Sequence, residues 1–268
     1  MKINKTDNIV EETEGRARIL FGWQLKLVAF VAFIWSLFQL WYASPLPFIV
    51  GFGVFIDVPA RAIHLGFGLF LAFLLFPFHK KNRSQKINIF NFLLSIAAFC
   101  VTFYLFYNYE ALVDRNGVLL KHPISLFGNK FVLPTELIIG GIGILLLLEA
   151  TRRAIGIPLV IVASIFLIYS IFGQSMPLMI SHQGLSLTRL VGYHWFGGEA
   201  IFGIPISVSV SFVFLFVLFG SMLDYAGGGK YFLDLAIALV GKFRGGPAKA
   251  SIMASGLTGM ISGSSIAN

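Results

Sequence analysis

Long apolar blocks, divided by short basic or Gly/Pro-containing connectors, constrain this chain more than any other feature. A helix of about twenty residues spans roughly 30 Å of hydrocarbon and satisfies its own backbone hydrogen bonds there. Blocks of near that length occupy residues 23–42, 61–78, 87–107, 135–150, 154–172 and 201–223. The pattern predicts an all-α polytopic membrane protein. It has about six transmembrane helices plus the first arm of a re-entrant hairpin. Pro45, Pro47, Gly51 and Gly53 interrupt residues 44–58, which read as a short interfacial or re-entrant segment. Residues 108–134 read as a polar connector, 173–200 as a longer polar stretch, and 225–240 as a short amphipathic helix.

Composition excludes most other classes. Charged residues make up 12% of the chain and hydrophobic ones 57%, whereas a soluble domain carries about a quarter charged residues. The net charge of +8 does not point to nucleic acid, because the basic residues sit at the ends of apolar blocks, where they face the bilayer surface. Cys100 is the single cysteine, so there is neither an intramolecular disulfide framework nor a cysteine-rich metal site. The first twenty residues are polar and mixed in charge. The apolar block after them lacks a small-residue cleavage site, so it is expected to be a retained first span.

Lysine and arginine set the expected orientation. With the N-terminus in the cytoplasm and the spans alternating, fifteen of the twenty Lys and Arg residues fall on the cytoplasmic side. Five, Arg61, Arg115, Lys121, Lys130 and Arg189, fall outside. This is the positive-inside bias of a multi-pass protein of the bacterial or archaeal cytoplasmic (inner) membrane.

Several polar constellations are candidate sites. Glu149, Arg152 and Arg153 stand at i, i+3 and i+4, so the carboxylate can pair with either arginine on one helical face. They read as a topology anchor with a local ion pair, or as a contact between membrane subdomains. Asp57, Arg61 and His64 read as an interfacial anchor, with contact to an extracytoplasmic partner as the alternative. His182, His194 and Glu199 match no metal-ligand spacing and are expected on a solvated loop face. Gly227-Gly228-Gly229-Lys230 lacks the first glycine and the Ser/Thr of a phosphate loop. It reads as a helix break, so no nucleotide site is expected, and no paired acid and base or nucleophile–base pair within the spans suggests an enzyme.

The segment from Gly245 to Asn268 differs in kind. Ser251, Ser255, Gly259, Gly263 and Ala267 recur every four residues and form one small-residue stripe on a helix, which permits close backbone approach. Ser262-Gly263-Ser264-Ser265 is expected to interrupt that helix. Unwound carbonyls, serine hydroxyls and the Asn268 amide are oxygen ligands of the kind that hold sodium in transporters with broken helices. The residues alone leave two readings open: an ion or substrate site, and a tightly packed hairpin without an ion.

Four stretches carry a resemblance. They are Gly198-Glu199-Ala200-Ile201-Phe202-Gly203-Ile204-Pro205, Phe219-Gly220-Ser221-Met222-Leu223-Asp224, Gly241-Lys242-Phe243-Arg244-Gly245-Gly246-Pro247-Ala248-Lys249 and Ile261-Ser262-Gly263-Ser264-Ser265-Ile266-Ala267-Asn268. Together they resemble the fused membrane permease of the TRAP (tripartite ATP-independent periplasmic) transporters. The Glu149-x-x-Arg152-Arg153 break is most similar to the TAXI-type branch.

The resemblance implies a cytoplasmic segment at 1–22, a small-subunit-like four-helix scaffold at 23–153, a connecting helix and outer loop at 154–200, and the start of the large transport subunit at 201–268. It also implies import of organic acids by an elevator movement, driven by a sodium gradient, with substrate delivered by an extracytoplasmic binding protein. No cofactor is implied apart from the coupling ion. Ser262, Gly263, Ser264, Ser265 and Asn268 map onto the hairpin tip that contributes to a sodium site. A second half of similar design would complete that site. The sequence reaches only the first hairpin tip, so the expectation is a truncated or split product needing the large-subunit remainder. The alternative is a non-transporting scaffold or assembly subunit that works with a separate large-subunit chain.

Overall fold

The computed structural model describes residues 17, 18, 20–55, 57–78, 86–115, 118–126 and 129–262. They form two units, 1–207 and 208–268.

The first unit is a helical bundle. Helix α1 (Trp23–Ala43) is followed by the short α2 (Leu46–Val50), which ends at Gly51 in the left-handed conformation. The Pro/Gly-rich stretch therefore holds one turn and a half of helix and extended chain, too little to cross a bilayer. Helix α3 (Asp57–Leu75) pairs along its length with α4 (Ile89–Asp114). Their close approach depends on Gly66: a Cβ there would sit 2.5 Å from Thr102 Oγ1.

The connector to the next helix is more ordered than the sequence reading expected. Strands β1 (His122–Leu126) and β2 (Asn129–Leu133) form an antiparallel hairpin in which His122 faces Leu133. It is a small addition to a fold that is otherwise all helix.

Helix α5 (Thr135–Ala154) carries Glu136 in its first turn and Arg152 and Arg153 in its last, complementing the helix dipole at both ends. Gly156, at φ 131°, breaks the chain before α6 (Ile157–Phe172). None of the residues of α6 is buried, and its exposed Ile, Val, Leu and Phe side chains suit a lipid environment.

Among the described residues, five helical stretches are long and apolar enough to cross a membrane: Trp23–Ala43, Asp57–Leu75, Ile89–Asp114, Ile157–Ser175 and Ile204–Leu223. Helix α5 is the sixth long helix. It falls outside that set because ionisable residues occupy both its ends, while residues 137–148 carry none.

Residues 177–181 of the polar stretch after α6 are exposed, as a loop would be, but Leu190, Val191, Trp195 and Phe196 turn back into the core. After the short α7 (Leu187–Val191), a π-helical turn at Gly192–Phe196 drives Trp195 and Phe196 into the core. Trp195 and Phe202 are fully buried and meet edge to face at 5.5 Å. Opposite them, α5 presents Gly140 and Gly143. A Cβ on Gly140 would lie 2.5 Å from Val191, and one on Gly143 would collide with the Trp195 indole. A second cluster, Leu69, Phe73, Ala98, Leu146 and Ala150, fills the bundle nearer the end of α5.

Helix α8 (Ile204–Val208) leads into the second unit. There a π-helical turn at Ser209–Val213 precedes α9 (Phe214–Tyr225). Gly227, at φ 88°, caps α10 (Gly228–Val240), so the triple glycine is a helix start. Helix α11 (Gly246–Ser262) returns antiparallel along α10.

Candidate functional site

Three polar ties and one helical hairpin carry the structural content of the candidate sites. The first tie is Arg61, one turn into α3. Its Nη2 donates to Asp57 Oδ2 at 3.1 Å, and its Nη1 donates to the Phe202 carbonyl at 2.8 Å. The Arg61 side chain is 13% exposed and that of Asp57 73%. The carbonyl bond is thus the desolvated, charge-assisted one, and the ion pair is largely in solvent. His64, on the same helix, accepts from Trp35 Nε1 at 3.2 Å. The predicted Asp57/Arg61/His64 group therefore divides, with Arg61 reaching across 141 residues and His64 facing α1.

The second tie centres on Glu136, a residue the sequence reading passed over. Its side chain is completely buried. Arg115 Nη2 donates to Oε1 at 2.8 Å, Tyr104 Oη donates to the same oxygen at 3.1 Å, and the Leu120 amide donates to Oε2 at 2.6 Å. One carboxylate thus joins α4, the segment before the hairpin, and α5. The available signal was an acidic residue at the second position of a helix, where the dipole favours it.

The third tie holds the predicted Glu149, Arg152 and Arg153. Arg152 Nε and Arg153 Nε each donate to Glu149 at 2.7 Å. Arg153 Nη1 also reaches Asn91 Oδ1 on α4 at 2.8 Å. The Arg153 guanidinium lies 4.9 Å from the Phe73 ring centroid, and that of Arg152 lies 4.5 Å from the centroid of Phe78. The hydrogen bond to Glu149 holds the Arg152 pKa above its ordinary value. The local pairs and the reach to neighbouring helices coexist.

The histidines of the loop are engaged locally. The Gly184 amide donates to His182 Nδ1 at 3.1 Å, so Nε2 carries the proton donated to the Tyr169 carbonyl at 3.1 Å. His194 Nδ1 lies 2.9 Å from the Leu190 carbonyl. Among the described residues no group of three His, Cys, Asp or Glu side chains could hold a metal ion.

The hairpin of α10 and α11 precedes the predicted ion-binding tip. Ala236, Ala250 and Ala254 form its core, with Val240 against them. The packed face of α11 is Gly246, Ala250, Ala254 and the half-buried Thr258, while Ser251, Ser255 and Gly259 are exposed. This corrects the expected contact stripe by one residue. Small residues occupy two adjacent faces of α11, and the alanine face allows the closer, drier contact. Ser262 ends α11; Gly263, Ser264, Ser265 and Asn268 lie outside the described residues.

Residues 142–268 match the family model described as "Tripartite ATP-independent periplasmic transporter, DctM component". That segment is similar to the membrane permease of TRAP transporters. No curated protein and no solved structure matched in the corresponding comparisons. The match begins inside α5, ahead of residue 201, where the motif resemblance to the large subunit begins.

This boundary gives the ties a meaning within the first unit. Arg61 belongs to the helices before the TRAP permease segment and Phe202 to the segment itself. Asn91 and Arg153 stand in the same relation, as do Val58 or Leu105 and Trp195 in the shared core. The helices before residue 142 are bound to the first part of the matched segment by buried apolar surface and by arginine hydrogen bonds from Arg61, Arg152 and Arg153. Residues 142–268 thus match a transporter component, and five helices among the described residues are long and apolar enough to cross a membrane.

Proposed function

We propose that this chain is the membrane permease component of a sodium-coupled TRAP transporter that imports organic acids delivered by an extracytoplasmic binding protein. The match of residues 142–268 to the DctM component carries this reading. The layout supports a fused small and large subunit of TAXI type, with residues 23–153 as scaffold. The first unit suits that role, because buried ties at both ends of α5 make the bundle a rigid brace. The α10–α11 hairpin supports the transport half. It brings a helix end, Ser262, to the start of the Ser-Gly-Ser-Ser sequence, whose oxygens are suited to a hard cation. The Lys and Arg distribution supports an inner-membrane location with a cytoplasmic N-terminus.

The test is uptake of a panel of radiolabelled organic acids by cells expressing the chain, its binding protein and any co-encoded membrane subunit. Uptake in sodium buffer that disappears when the chain or the binding protein is omitted agrees with the proposal. No uptake by the chain and binding protein alone, with assembly of a separate large-subunit chain that depends on this chain, selects the scaffold reading.

A further inference from the structure

The end of the bundle where α1 and α4 begin and α3 and α5 end holds more buried positive charge than its own carboxylate neutralises. Arg18 is 8% exposed and Arg153 5%. The Arg18 backbone amide donates to the Leu75 carbonyl at 2.8 Å, which fixes it at the last turn of α3. Arg153 is fixed at the same end by Asn91 and the Phe73 ring. Glu149 is the single acidic partner there among the described residues, and it is shared by Arg152 and Arg153.

Among the described residues, three buried guanidinium nitrogens have no hydrogen-bond partner: Arg18 Nε, Arg18 Nη1 and Arg153 Nη2. Leaving charged donors buried and unmet is costly, and such groups in a native protein point to a missing polar partner. Burial, and then the neighbouring Arg153 charge, push the Arg18 pKa down, as expected for two cations lacking an anion between them.

We propose that Arg18 and Arg153 form a site for the phosphate of an anionic phospholipid. Guanidinium forks match phosphate oxygens in geometry and charge. The surroundings favour a lipid over free phosphate. Phe21, Trp23, Phe78, Ile89 and Phe90 are exposed apolar side chains at this same end, on which acyl chains can lie. Aromatic residues at a span end also mark the headgroup level. The phosphate meets Arg18 and the free Nη2 of Arg153 while Glu149 keeps its bonds to Arg152 and to Arg153 Nε, so the lipid joins the starts of α1 and α4 to the ends of α3 and α5.

The test is native mass spectrometry of the full chain from mixed micelles containing phosphatidylglycerol or phosphatidylcholine. A parallel thermal melt is run with and without millimolar inorganic phosphate. The expected result is one retained phosphatidylglycerol, lost about tenfold more readily in Arg18→Gln, which removes at least one charge-assisted bond. Lys26→Gln, at an exposed cation of α1, should change retention less than about twofold by comparison. Stabilisation of the wild type by inorganic phosphate, absent in Arg18→Gln, without lipid retention would keep the phosphate site and assign it to the free ion. Equal retention of both lipids with no phosphate effect overturns the proposal, as does an equal loss in Lys26→Gln. A lower melting point in Arg18→Gln with unchanged lipid retention also overturns it.

Discussion

Glu136→Gln perturbs the bundle with almost no change in volume. The wild-type carboxylate receives only donors: two from Arg115, one from Tyr104 and the Leu120 amide. Glutamine keeps one acceptor oxygen and turns the other into an NH2 group that faces donors. At least one buried N–H is left unmet, at about 1–3 kcal/mol, and the charge assistance to Arg115 is lost. Breaking a fully buried pair costs roughly 3–5 kcal/mol. The Arg115 side chain is 25% exposed, so water recovers part of that loss and about 2–4 kcal/mol remains. At roughly 2–4 °C per kcal/mol for a chain of this size, the apparent melting point in detergent should fall by about 5–15 °C. Hydrogen exchange of the peptide containing Leu120 should accelerate, because its amide loses a 2.6 Å bond. Glu110→Gln, at an exposed carboxylate on α4, is the control and should do neither. A shift below about 2 °C with unchanged exchange at Leu120 would refute the assignment of Glu136 as the pin of this end.

Three further substitutions probe other contacts. Gly143→Ala drives a methyl into the Trp195 indole and should destabilise by about 1–3 kcal/mol with a change in tryptophan emission; Gly141→Ala, whose Cβ would meet nothing within 4 Å, should be silent in the same melt. Arg61→Met removes the bond to the Phe202 carbonyl and should cost about 1.5–3 kcal/mol, with faster hydrogen exchange across residues 198–203 and partial recovery in Arg61→Lys. Ala254→Leu overfills the α10–α11 contact and should increase proteolysis at the 241–245 turn, while Ser255→Leu on the exposed face should not.

The spans were legible because a helix in lipid must satisfy its backbone internally and show an apolar surface, which leaves a long uninterrupted run in the sequence. The Glu149, Arg152 and Arg153 pairing was legible because it follows from helical spacing alone. The partners of Glu136 lie 16, 21 and 32 residues away. At that separation a buried pin looks the same as a polar residue at a span end. Trp195, Phe196 and Phe202 sit in a segment whose histidines and glycines give it a loop-like composition. The legible counterpart was Gly140-x-x-Gly143, a notch on one helix face that needs bulky side chains opposite. The stripe on α11 was displaced by one residue because small residues fill two adjacent faces, and periodicity does not choose between them. The candidate ion ligands were named from their oxygen chemistry and from resemblance to a known tip, and Gly263, Ser264, Ser265 and Asn268 lie outside the described residues.

The most direct measurement of the central claim is uptake into proteoliposomes holding the purified chain with its binding protein and any co-encoded membrane subunit. The membrane potential is clamped, and sodium and proton gradients are imposed separately. The account predicts accumulation of a labelled organic acid only with an inward sodium gradient and only in the presence of the binding protein. Accumulation driven equally by a proton gradient, or unaffected by removing the binding protein, would contradict it.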